Sequence, residues 1–119
     1  MTLNVTRADM IRAGYSPSVR LFEAAACGRP VISDRWAGIE EFFCPGKEIL
    51  IADCTEDVMR YLAMHSSALA AIGAAARARA QRCHTAGNRA AELERIAYDA
   101  FQAPTRKPRS RSARASRRQ

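Results

Sequence analysis

Histidine is scarce and cysteine has no pattern. The two histidines, His65 and His84, stand at no ligand spacing from Cys27, Cys44, Cys54 and Cys83, and no C-x-x-C pair occurs, so a structural zinc site is not expected. With no secretory pattern in Met1–Arg7, the four thiols read as reduced, small apolar side chains rather than as two disulfides. No apolar run reaches the roughly 18 residues of a membrane span. A cytoplasmic setting is therefore the expectation. There is no P-loop, no G-x-G-x-x-G, no Ser-His-Asp order and no carboxylate pair, which leaves kinase, dinucleotide-binding and hydrolase readings without a motif. At 119 residues the chain is sized for one modest core.

Acidic residues are absent after Pro104, and that absence explains the charge. The formal net charge is +7, and Arg106, Lys107, Arg109, Arg111, Arg114, Arg117 and Arg118 supply all of it. Residues 1–103 are formally neutral, with 12 acidic residues in the whole chain balancing the other basic ones. The high isoelectric point is thus a property of residues 104–119, which carry no apolar side chain larger than alanine or proline and are expected to form a basic disordered tail. A nucleic-acid role would rest on that tail, not on the body.

Turn residues divide the rest cleanly. Leu3–Thr6, Pro30–Ser33 and Ile49–Ala52 read as three short strands. Between the first two, Ser16 can cap a helix with Pro17 at its first position, and Gly28 closes it before Pro30. Gly38–Phe43 suits a short helix ended by Cys44-Pro45-Gly46. Thr55 can cap another with Glu56 and Asp57 in its first turn. Two more helices are expected near 67–82 and 85–102, the second with Leu93, Ile96, Ala97 and Phe101 as an apolar stripe. Strands alternating with helices over short loops predict an α/β fold, a partial doubly wound (Rossmann-like) parallel sheet of about three strands, comprising residues 1–103.

A helix starting near Ser16–Val19 presents free backbone N–H groups and the positive end of its dipole at the carboxyl end of a strand, where α/β domains bind phosphates. Ser18 adds a hydroxyl and Arg20 a guanidinium suited to a diphosphate, although Ser16 as a plain cap and Arg20 as a solvated helix residue fit the spacing as well. Glu23, one turn further on, can accept hydrogen bonds from a ribose diol, and equally reads as a helix surface residue. Asn4 and Arg7 end the first strand at the same face, and Arg7 is a candidate for neutralising diphosphate charge or a surface residue. Trp36, the single tryptophan, can line a base or sugar pocket or cap the edge of a core.

The run Leu21-Phe22-Glu23-Ala24-Ala25-Ala26-Cys27-Gly28-Arg29-Pro30-Val31-Ile32-Ser33-Asp34 resembles the "LEAMACGTPVVAS" pattern of group 1 (GT-B fold) glycosyltransferases. Gly38-Ile39-Glu40-Glu41, then Gly46-x-Glu-Ile49-Leu50, and His84-Thr85 with Arg89 extend it into a series similar to the CgeB-like (spore-maturation-type) branch, over about residues 3–100. The resemblance implies the carboxy-terminal, donor-binding half of a GT-B enzyme that transfers a hexosyl group from a nucleotide-diphospho-sugar, with no cofactor and no metal. It places Glu23 on the donor ribose, and Ser16, Ser18, Val19, Arg20 and Arg7 around the diphosphate. The family's second signature glutamate falls at Tyr15, so its sugar contacts do not carry over. Tyr15, Trp36, Gly38 and Glu40 (or Glu41) remain as candidates for the donor pocket, and His84 reads as a helix cap more than as a catalyst.

A parallel sheet with an open strand at Leu3–Thr6 predicts a partner along that edge: an amino-terminal domain, a separate chain or a second copy. The rival reading is a non-catalytic relic of the fold whose arginine-rich tail contacts polyanions such as nucleic acid.

Overall fold

The computed structural model describes residues 1–102, and the basic stretch 104–119 lies outside the described residues. Three strands, β1 (Thr2–Asn4), β2 (Val31–Ser33) and β3 (Leu50–Ile51), form a parallel sheet in the order β1-β2-β3, with Thr2 opposite Val31 and Ile32 opposite Leu50. Six helices are interleaved with and follow them: α1 (Ala8–Ala13), α2 (Val19–Ala26), α3 (Ile39–Phe42), α4 (Thr55–Leu62), α5 (Ser66–Cys83) and α6 (Ala86–Gln102). The architecture is the expected α/β one, a partial Rossmann-like sheet flanked by helices.

Side chains alternate across a strand, so successive residues of β2 and β3 serve opposite faces. On one face Val31 and Ile51 pack with Leu21, Ala24 and Ala25 of α2, Ala76 and Ala80 of α5, and Trp36, Ile39, Phe43 and Ile49. On the other, Ile32 and Leu50 meet Ile72 of α5, with Val58 and Tyr61 of α4 packed against them. The Tyr61 hydroxyl donates to the Ile51 carbonyl at 2.8 Å, so the polar end of a half-buried ring is satisfied. Full burial of a side chain such as Leu21 or Ile32 is worth about 1.5–3 kcal/mol, and these two clusters carry the fold.

Small residues let α2 and α5 touch. Gly28, at φ +67°, follows the last turn of α2; its N–H donates to Ala25 O and the Arg29 N–H to Ala24 O, the paired bonds of a left-handed helix stop. Gly73 lies directly against it, and a Cβ there would sit 2.2 Å from the Gly28 carbonyl oxygen. Glu48 pins the same helix from the other side: its Oε2 accepts from the Cys44 N–H at 2.8 Å and from Arg79 Nε at 2.9 Å.

Two helix starts differ from expectation. α2 begins at Val19 with Ser18 as its cap residue, not at Pro17 with Ser16, because burial of Leu21, Ala24 and Ala25 fixes the register and Ser18 holds extended angles. α4 is entered through Cys54, so Thr55 is its first helical residue. α5 is capped by His65, whose ring accepts from the Ser67 N–H. The short α1, with no buried residue, was not expected from the sequence at all. All four cysteines are free thiols, and no described helix is long and apolar enough to cross a membrane.

Candidate functional site

The carboxyl ends of β1 and β2 are tied by a polar network. Asp34 Oδ1 accepts from the Thr6 N–H at 3.0 Å, the Thr6 hydroxyl at 2.7 Å and the Ser33 hydroxyl at 3.4 Å. Each hydroxyl has then used its proton and can accept, and Asn4 Nδ2 donates to both, at 3.3 Å to Thr6 and 3.2 Å to Ser33. Asn4, Thr6 and Ser33 are buried, which makes this a rigid cross-link between the two strand ends. It leaves Asn4 Oδ1 buried with no partner among the described residues.

Beside the network opens a cleft of about 370 Å³, walled by Val5–Arg7 just after β1, Met10 of α1 and the Pro17–Arg20 entry to α2. Ser18 makes no side-chain cap bond, so its hydroxyl is unspent. The N–H groups of Val19 and Arg20 belong to the first turn and have no acceptor among the described residues, as expected of a helix start. Arg7 and Arg20 are exposed and, unlike Arg35, Arg60, Arg79, Arg89 and Arg95, pair with no carboxylate among the described residues. Two unpaired guanidiniums, a hydroxyl and a helix amino end thus converge at the carboxyl edge of a parallel sheet, a combination that suits an anion.

Glu23 is exposed, four residues after Val19 and on the same side of α2, one turn beyond the residues that wall the cleft. Its carboxylate pairs with no described residue. A larger groove, about 470 Å³, lies at the opposite, amino-terminal end of the sheet between Cys27–Pro30 and Ser66–Arg77. Open α/β sheets bind ligands at the carboxyl ends of their strands, where both the cleft beside α2 and a hollow of about 310 Å³ lined by Asn4, Asp34 and Asp53 lie; the acidic lining of the hollow leaves the cleft as the one suited to an anion.

The remaining candidates scatter. Ser16 precedes Pro17 and lies outside the cleft walls. Trp36 is 4 % exposed and packs in the core, its ring 5.9 Å from Phe42, so it acts as core and not as pocket wall. Glu40 faces Arg35 at 3.6 Å, and Arg35 also reaches Asp53 at 3.4 Å, which ties the loop after β2 to the loop after β3. Glu41 is exposed in α3. Tyr15 and Gly38 are in contact with each other and neither lines the cleft.

His84 ends α5 and is enclosed by Phe22, Phe42 and Phe43, with ring centroids 5.2–6.0 Å away. Arg89 can only donate, so His84 Nδ1 accepts from it at 2.8 Å, and the Nε2–H donates to Phe42 O at 2.9 Å. Both ring nitrogens are spent on structure. Thr85 and Asn88 exchange hydrogen bonds at the start of α6. The Thr6–Asp34 cross-link has no local signature in the sequence, since it joins positions 28 apart.

Compared with known proteins, residues 1–95 match a family model described as glycosyl transferase-like. No curated protein and no solved structure matches the chain.

Proposed function

Because this chain belongs to the glycosyl transferase-like family, we propose that it carries the donor-binding part of a GT-B glycosyltransferase, of the CgeB-like branch, acting on a nucleotide-diphospho-sugar. The cleft at the amino end of α2 is the single observation that supports this most. The diphosphate lies over the Val19 and Arg20 N–H groups, with the Ser18 hydroxyl and the Arg7 and Arg20 guanidiniums around it. Glu23, one turn along, takes the ribose hydroxyls.

Transfer of a hexosyl group breaks the bond between the sugar's anomeric carbon and the β-phosphate oxygen, and the electron pair leaves with the nucleotide diphosphate. Groups already aimed at that oxygen, the helix amides and the two arginines, lower the barrier by holding the charge as it develops. In this reading no cofactor is used and no metal is needed for that task. The acceptor hydroxyl is supplied from a second surface. The open β1 edge, with Leu3 in it 54 % exposed and Val5 just after it 71 % exposed, supports a polypeptide partner there: an amino-terminal domain, a separate chain or a second copy.

Titration of the chain with UDP, GDP and their sugar conjugates, by calorimetry or NMR, tests the reading. Saturable binding is expected, weakened about tenfold in Arg20→Gln and in Glu23→Ala, since each removes a hydrogen bond between protein and a charged group. A folded chain that binds none of these nucleotides would overturn it.

A further inference from the structure

Every residue that walls the cleft falls within 5–20, and packing holds that stretch only lightly. Helix α1 has no buried residue, and Thr6 is the one buried side chain between Asn4 and Leu21. The hydrophobic core therefore does not fix where Arg7 stands. Apart from bonds within α1 and α2, the stretch is hydrogen-bonded to the rest of the described body at two places. One is the Tyr15 N–H, which donates to Ala37 O at 2.8 Å. The other is Thr6.

A single carboxylate holds Thr6 twice. Its N–H donates to Asp34 Oδ1 at 3.0 Å and its hydroxyl to the same oxygen at 2.7 Å, so backbone and side chain are fixed together. Thr2 N–H donates to Pro30 O at 2.9 Å, and four positions on along both chains the Thr6 N–H meets Asp34. The side chain thus continues the β1–β2 ladder one step past the end of the strands. Arg7 comes next, in an extended conformation, and its carbonyl accepts the Ile11 N–H that opens α1.

Stability alone is a poor reason for this arrangement. Asp34 forms no ion pair among the described residues, and the network it anchors leaves Asn4 Oδ1 buried without a partner, which is a net cost. Asp34 is also absent from the cleft lining, so its effect on a ligand there must pass through Thr6. We infer that Asp34 is a positioning residue of the donor site. Through Thr6 it sets the Arg7 guanidinium across the cleft from the amino end of α2, on the far side of the diphosphate. The inference rests on the donor reading. By its charge alone a carboxylate beside an anion site weakens binding, so positioning and charge act in opposite directions and can be told apart.

The test is a calorimetric titration with UDP or GDP, whichever the wild type binds, into wild type, Asp34→Ala, Asp34→Asn, Arg7→Gln and the double variant Asp34→Ala/Arg7→Gln. Thermal unfolding establishes that each is folded at the titration temperature. Asp34→Ala is expected to weaken the nucleotide about three- to tenfold, although it removes a negative charge. Asp34→Asn keeps an accepting oxygen without the charge, and is expected to stay within about twofold of wild type. Arg7→Gln is expected to lose about as much as Asp34→Ala, and the double variant no more than either single one, because an Arg7 already released has little left to lose. A merely structural Asp34 gives losses that multiply. Multiplied losses, unchanged or tighter binding in Asp34→Ala, an equal loss in Asp34→Asn, or no effect of Arg7→Gln would each overturn the inference while Arg20 and Glu23 stand as donor contacts. Should Asp34→Ala not fold, Thr6→Val removes the hydroxyl bond from the other side, and the same cycle with Arg7→Gln decides. A folded wild type that binds neither nucleotide removes the donor reading, and the positioning role with it.

Discussion

At the scale of single residues, the two glycines between α2 and α5 set the tightest constraint. Replacing a helical glycine by alanine ordinarily stabilises by up to about 1 kcal/mol. In Gly73→Ala the new Cβ would lie 2.2 Å from a backbone carbonyl oxygen that cannot swing aside, so the helices must separate. Overpacking wins, and urea unfolding is expected to show a net loss of about 2 kcal/mol or more. Glu48 offers a test in pH. Burial raises its pKa, but the Cys44 N–H and Arg79 outweigh that and hold the carboxyl below its ordinary value. A lowered folded pKa gives stability that is fully present above the unfolded value and lost as pH falls through the folded one. Glu48→Gln is therefore expected to cost about 1–2 kcal/mol at neutral pH and progressively less on acidification, as unfolding at pH 7 and pH 3 would show.

At the scale of elements, burial separates helices that hold the body from helices that do not. Leu21→Ala empties a site 1 % exposed and is expected to cost about 2–5 kcal/mol. Leu93 of α6 is 68 % exposed, α6 has no buried residue, and Leu93→Ala is expected to change stability by less than about 0.5 kcal/mol in the same unfolding experiment. The existence of β2, β3, α2, α5 and α6 was legible in the sequence because Gly, Pro and capping residues punctuate it. The expected apolar stripe of α6 exists as a pattern, but it meets no partner among the described residues. α1 was illegible because no residue of it is buried, leaving no periodicity to read. The start of α2 was misplaced because Ser16 and Ser18 flank Pro17 with similar local chemistry, and only the burial of Leu21 and Ala25 decides between them. For the same reason Ser18, Arg20 and Glu23 could be proposed from spacing along one helix, whereas the Thr6–Asp34 bond and the Tyr15–Gly38 contact join segments that nothing local connects.

At the scale of the whole molecule, the proposed donor-binding reading together with an open sheet edge predicts that donor binding and sugar transfer separate experimentally. The purified chain is expected to bind donor and transfer little or no sugar, and robust transfer by it alone would contradict the need for a second surface. Were the chain instead a relic serving polyanions, affinity for nucleic acid would fall steeply with salt and vanish on deletion of 104–119, because those residues hold the whole net charge. The spatial order of the strands matches their order in the chain, with Thr2 and Val31 29 positions apart and Ile32 and Leu50 18 positions apart. A ribosome therefore delivers each strand next to the one already made, and none must be inserted between earlier neighbours. The core cannot close at the same pace. Leu21, Val31 and Ile51 await Ala76 and Ala80, and Ile32 and Leu50 await Ile72, so until α5 has emerged neither face of the sheet is fully covered, and synthesis of the last buried helix completes the core.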